Sequence, residues 1–156
     1  ALERPLVQER KDRLIRLDRF QVSERFPHDL TRGYRLDLPA VGSGEIFRGV
    51  SSVLALSATK LLVLERSARI EGGGIGYGGA IYQADCEKDP CRKTKIFDLM
   101  TGLKTLRGGK NIPNFEGLSW GPALIEGRRT VLLVSDNNFS EKTGSEIIAF
   151  LVKDAP

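Results

Sequence analysis

Glu116 and the run Asp136-Asn137-Asn138 are the residues whose types and spacing invite chemistry. They sit near the two ends of FEGLSWGPALIEGRRTVLLVSDNNFS, residues 115–140. That stretch reads as two antiparallel strands, Phe115 to Trp120 and Thr130 to Ser135, joined through Gly121-Pro122 and Glu126-Gly127. Antiparallel pairing sets the start of the first strand beside the end of the second, so Glu116 and the Asp-Asn-Asn run are expected at one rim. Carboxylate and amide oxygens gathered there suit a hard cation. The alternative is a salt-bridged Glu116 beside an ordinary turn, since Asp and Asn are common turn residues.

The elements that must position these residues repeat along the chain. Phe47 to Leu56, FRGVSSVLAL, aligns with Phe115 to Leu124, FEGLSWGPAL, and puts Arg48 at the repeat position of Glu116. Each is followed by an apolar strand ending in an acid, Lys60 to Arg66 and Thr130 to Asn137, and Leu2-Glu3-Arg4 echoes Leu64-Glu65-Arg66. A third strand recurs as Asp12 to Val22, Ala80 to Cys86 and Ser145 to Val152, and a fourth as Gly33 to Leu38 and Lys93 to Leu99. Almost no helical periodicity interrupts them. Antiparallel units repeated in this way predict an all-β β-propeller, about three four-stranded blades in a partial ring. The blade remnants cover about 1–39, 46–99 and 114–153, the first without its inner strand and the last without its outer strand. Open edges and too few blades leave such a ring unclosed. Residues 1–156 are therefore expected to be roughly half of a propeller, with the missing half, a second chain or covalently attached, supplying the other blades.

Composition excludes some classes. Lys and Arg (24) outnumber Asp and Glu (20) only slightly among 156 residues, giving a net charge of +4. No basic tract or aromatic-interleaved basic stripe points to nucleic acid, and no apolar run approaches the roughly 18 residues of a membrane span. Cys86 and Cys91 bracket CEKDPC, where Pro90 favours a turn; a disulfide there implies an oxidising compartment, and two free thiols are the alternative. Zinc is poorly supported, because the chain has no other Cys and only one His, His28.

In a propeller the starts of inner strands and the ends of the next strands share one mouth, so Glu3, Arg48, Glu65, Glu116 and Asp136 are expected to ring a single funnel. Carboxylates with a minority of Arg suit a calcium-bridged anionic substrate, with Arg48 as the anion clamp. A ring of structural Glu-Arg pairs is the competing expectation. Other patterns carry less. Gly117-Leu118-Ser119-Trp120-Gly121 matches a nucleophile elbow without the helix that such an elbow opens. Gly74, Gly76 and Gly79 match a dinucleotide fingerprint but precede a strand; a loop near the funnel mouth is expected instead, with Tyr77 touching substrate or packing on the neighbouring blade. His28 is expected in a loop, and Asn138-Phe139-Ser140 is a glycosylation sequon.

ALERPLVQ at the start, LLVLERS at Leu61 to Ser67, and NFEGLSWGPAL followed by GRRTVLLVSDNNFS between Asn114 and Ser140 resemble the C-terminal half of the phytase-like domain family, described as esterase-like activity of phytase. The resemblance spans nearly the whole chain and implies a secreted or periplasmic β-propeller with hydrolytic activity. Glu116-Gly117 with Trp120 is also similar to the Glu-Gly-Pro-x-Trp motif of gluconolactonase and regucalcin propellers, whose Glu binds a central divalent metal. The expected function is metal-assisted hydrolysis of a phosphate or carboxylic ester of an anionic small molecule. Glu116, Asp136, Asn137 and Glu65 are the candidate ligands of a divalent cation, calcium by donor type. Arg48, Glu3 and Tyr77 are placed near substrate, and no residue is assigned a catalytic role. The alternative is a non-catalytic binding or scaffold propeller, a subunit of a larger complex.

Overall fold

A computed structural model describes residues 13–38, 44–108, 111–124, 128–141 and 144–152. Three antiparallel sheets, each a meander of sequence neighbours, carry the chain. The first pairs β1 (Leu14–Phe20) with β2 (His28–Arg35). The second runs β3 (Glu45–Ala55), β4 (Lys60–Glu71), β5 (Gly74–Asp85) and β6 (Arg92–Asp98) in order. The third runs β7 (Asn114–Trp120), β8 (Thr130–Asp136) and β9 (Ile147–Leu151). The all-β expectation stands, and the strands overlap the repeats, but β2 runs from His28 to Arg35 rather than from Gly33 to Leu38. The strand end expected at Leu2-Glu3-Arg4 lies outside the described residues.

Three local expectations are corrected. Helix α1 (Leu99–Leu106) follows β6: Asp98 caps it by accepting from the Thr101 amide at 3.0 Å, and Leu99 and Leu103, one turn apart, are both buried. A helix this short leaves almost no periodic signal. His28 opens β2 rather than lying in a loop, because it pairs with Phe20 and their rings meet edge to face at 5.3 Å. The glycine-rich stretch is a hairpin, not a loop: β4 and β5 pair without a break to Glu71 opposite Gly74. Its two-residue turn needs the positive φ of Gly72 (57°) and Gly73 (79°). At Gly79, φ is 151° and a Cβ would lie 2.1 Å from the Glu65 carbonyl oxygen, so only glycine lets β5 approach there.

The second sheet lies between the other two, and strand alternation divides its side chains between them. Val63 of β4 and Ala84 of β5 join Ile15, Tyr34 and Leu36 in one buried cluster. Leu62, Leu64 and Ile81 join Leu99 and Leu103 of α1 with Phe115, Leu118, Val131 and Leu133 of the third sheet in another. Each fully buried leucine contributes roughly 1.5–3 kcal/mol of burial energy to these interfaces. Phe97 and Phe150 meet edge to face at 4.9 Å beside the second cluster.

Cys86 and Cys91 form a disulfide, and both residues are buried. Its loop grips β2: the Gly33 amide donates to Asp89 Oδ1 at 2.6 Å, the Cys91 amide to the Gly33 carbonyl at 2.8 Å, and Arg32 Nε to the Cys86 carbonyl at 3.0 Å. The bond is compatible with an oxidising location, and no described helix is long and apolar enough to cross a membrane. Because the loop ties the first sheet to the second, replacing both cysteines by serine is expected to lower unfolding stability by ~2 kcal/mol. Urea denaturation of parent and variant checks the value.

Candidate functional site

The residues expected in one ring are divided by β4. Glu65 and Arg66 are adjacent on that strand and point to opposite faces. On the side of the first sheet, Glu65 is fully buried, and its carboxylate is surrounded by donors. Tyr34 Oη donates to Oε1 at 2.8 Å, Lys93 Nζ also donates to Oε1, the Asp37 amide donates to Oε2 at 3.3 Å, and Arg48 Nη1 lies 3.5 Å from Oε2. Arg48 is itself held bidentately by Glu45, at 2.9 and 2.7 Å. Lys93 reaches Asp37 Oδ1 at 2.8 Å and stands over the Tyr34 and Tyr82 rings, 4.9 and 4.2 Å from their centroids. Tyr82 Oη donates to Asp37 Oδ2.

This network shifts its own titrations. Burial, then the Glu65 charge and hydrogen bond, push the Tyr34 phenol far above its ordinary value; burial and the Asp37 hydrogen bond do the same to Tyr82. Burial works to raise Asp37, but the hydrogen bonds from Lys93 and Tyr82 outweigh it and hold that carboxyl below the usual range. A carboxylate already facing two cations and two neutral donors has a filled shell, so Glu65 and Arg48 are engaged within the scaffold.

On the side of the third sheet, Arg66 Nη1 bonds the Glu116 carboxylate and donates to Asn114 Oδ1 at 3.0 Å, with its guanidinium 5.2 Å from the Phe47 ring. Glu116 is the extra residue of a β-bulge: Phe115 pairs with Ser135 and Gly117 with Val134, leaving Glu116 unpaired and re-aimed. Asn114, 3% exposed, links the rim together, its Nδ2 donating to Glu116 Oε1 at 2.7 Å and to Asn138 Oδ1 at 2.9 Å. Glu116 and the Asp-Asn-Asn run therefore do share a rim, through Asn114.

The run itself is a turn. Asp136 Oδ1 accepts from the Asn138 amide and Asn137 Oδ1 from the Phe139 amide, both at 3.1 Å, and Asn138 and Phe139 hold positive φ of 52° and 57°. Asp136, Asn138 and Asn114 line a cleft of about 430 Å³ together with Tyr77, Arg107 and Glu146. Tyr77 Oη accepts from Asn138 Nδ2 at 3.3 Å, and Arg107 pairs with Glu146. The cleft's polar side-chain donors to a cation are oxygens, the type that hard cations take. Among the described residues no three His, Cys, Asp or Glu side chains converge as a metal-holding group.

Glu3 lies outside the described residues. Ser119 is exposed on β7 and donates to the Trp120 carbonyl at 3.2 Å, while His28 lies in the first sheet, 2.9 Å from Thr31 Oγ1. Lys93, Asn114, Arg107 and Glu146 escaped sequence reasoning. The polar residue opening NFEGLSW is the signal that could have found Asn114, whereas alternation puts Lys93 and Lys95 on one face and does not single out Lys93. Residues 1–139 match the family model described as Phytase-like: Esterase-like activity of phytase. No curated protein and no solved structure matches the chain.

Two outcomes follow from the buried network. Glu65→Gln leaves Lys93 and Arg48 undercompensated and is expected to cost about 3–5 kcal/mol in urea unfolding. Tyr34 and Tyr82 titrate higher folded than unfolded, so their contribution is complete below pH 10, where the free phenol titrates, and is lost as pH rises beyond it. Urea midpoints between pH 8 and 11 should fall above pH 10, with a shallower slope in Tyr34→Phe.

Proposed function

The chain belongs to the phytase-like family, and from that premise we propose that it is part of a β-propeller hydrolase acting on phosphate or carboxylic esters of small anionic molecules. The family match over residues 1–139 is the observation that carries this reading. Its three successive antiparallel meanders, stacked face to face, support treating them as blades, with the rest of the ring supplied by further chain or a second chain. The disulfide supports an exported protein.

The rim cleft is the proposed site. Asp136 and Glu146 set two carboxylates against the single guanidinium of Arg107 in its lining, so an anionic ester is held there best with a bridging cation. Asp136 and Asn138, which line the cleft, would hold that cation; Asn137 and Glu116 lie outside the lining, with Glu116 sharing its carboxylate with Arg66. Calcium, when bound, would polarise the ester and acidify a coordinated water. Asn114 keeps Asn138 and Glu116 in register, and Arg107, which lines the cleft where Arg48 does not, would grip the substrate anion with the donors that its pairing with Glu146 leaves. Tyr77 closes one wall, its hydroxyl held by Asn138 Nδ2.

A non-catalytic scaffold is the second reading, favoured by the saturated Glu65 and by the Glu116–Arg66 pair. The two separate in an assay of p-nitrophenyl phosphate and p-nitrophenyl acetate with calcium and with chelator. The hydrolase reading expects calcium-dependent turnover that drops at least ~100-fold in Asp136→Asn at unchanged melting temperature, as removal of a site group does. Turnover that is absent, or indifferent to both calcium and Asp136, would leave the scaffold.

A further inference from the structure

The interface between the first and second sheets is closed near Glu65, but at its other end, beside the β3–β4 turn and the disulfide, it opens into a cleft of about 260 Å³. Leu17 and Leu30 form one wall, Val53 and Leu61 the other, and the small Ala55 and Ala58 leave the space at the lip unfilled. It shares no lining residue with the rim cleft. The charged residues of the lining are Asp18, Arg19 and Arg32. Asp18 is paired with Arg16 at 3.2 Å and accepts from Thr31 at 2.6 Å; Arg19 is paired with Asp29 at 3.0 Å.

Arg32 differs. Its guanidinium donates to the carbonyls of Cys86 (3.0 Å), Thr31 (3.0 Å) and, weakly, Glu87 (3.5 Å), and among the described residues no carboxylate pairs with it. Of an arginine's five N–H donors, those three bonds leave one on each terminal nitrogen, the pair that a carboxylate accepts as a fork. A half-buried guanidinium bonded only to carbonyls thus keeps charge and free donors at the edge of an apolar slot.

We propose that this cleft binds a small organic monocarboxylate, its apolar body between Leu17, Val53 and Leu61 and its carboxylate on Arg32. A cavity of about 150 Å³ accepts benzene, so this one takes an acid of about ten non-hydrogen atoms. A phosphate dianion fits worse, because two free donors cannot satisfy it and the Asp18 carboxylate in the lining repels a second negative charge.

Phenylacetate is the probe, with phenylacetamide as its neutral isostere and inorganic phosphate as the apolar-free anion, each titrated into the ¹⁵N-labelled protein and followed by amide shifts. Phenylacetate is expected to shift Leu30, Arg32, Ala55 and Leu61 with a Kd of about 1 mM or tighter, and the amide and phosphate to bind at least ~10-fold more weakly. Ala55→Phe fills the slot while leaving the Arg32 carbonyl bonds intact, and with Arg32→Gln it should weaken phenylacetate at least ~10-fold. Absence of cleft shifts with phenylacetate overturns the proposal. So does an amide or phosphate that binds equally well, or an Ala55→Phe variant that binds like the parent.

Discussion

A carboxylate without solvent contact is tolerated only where cations and donors replace its water, and Glu65 imposes that requirement on everything around it. The partners come from β2, β3, β6 and the Asp37 segment, so the first and second sheets must dock in one register for the network to close. Lys93 is the pivot. It joins Glu65 to Asp37 and fills the space between two tyrosine rings, so that charge, hydrogen bonding and packing are satisfied by one side chain. The disulfide loop fixes the same two sheets near the other end of their interface by backbone and Asp89 contacts to Gly33. Between these two fixed points lies the apolar cluster of Ile15, Tyr34, Val50 and Val63.

The second sheet transmits this constraint to the rim. Because neighbouring strand residues face opposite ways, anchoring Glu65 toward the first sheet commits Arg66 to the third. There Arg66 meets Glu116 and Asn114, and Asn114 in turn sets Asn138 at the edge of the cleft. The bulge at Glu116 makes that meeting possible, since a regular pairing would carry its carboxylate elsewhere.

The sheets and strand positions were legible because each repeat carries its own apolar run and acid, and alternation of that kind is read directly from residue types. The shared rim of Glu116 and Asp136 was legible for the same reason, as antiparallel pairing is a local rule. The single ring was not. It treated Glu65 and Glu116 as equivalent ends, whereas β4 sends Glu65 and its neighbour Arg66 to different sheets, and which acid meets which cation is decided by docking. Lys93 illustrates the limit: nothing in its neighbours distinguishes it from the exposed Lys95 two residues on. Helix α1 was missed because eight residues with two buried leucines produce no sustained period, although Asp98 as cap and Gly108, with φ of 61°, mark both ends.

Two acidic environments are thus distinct in this phytase-like chain: a filled ionic network that holds two sheets together, and a rim cleft with an exposed carboxylate, the proposed site of calcium-dependent chemistry. Calcium titration calorimetry of the parent, Glu65→Gln and Asp136→Asn side by side tests that division most directly. Glu65→Gln, measured where it remains folded, is expected to keep the parent's calcium affinity, and Asp136→Asn to lose it at full stability. Affinity lost with Glu65 and kept without Asp136 would contradict that division.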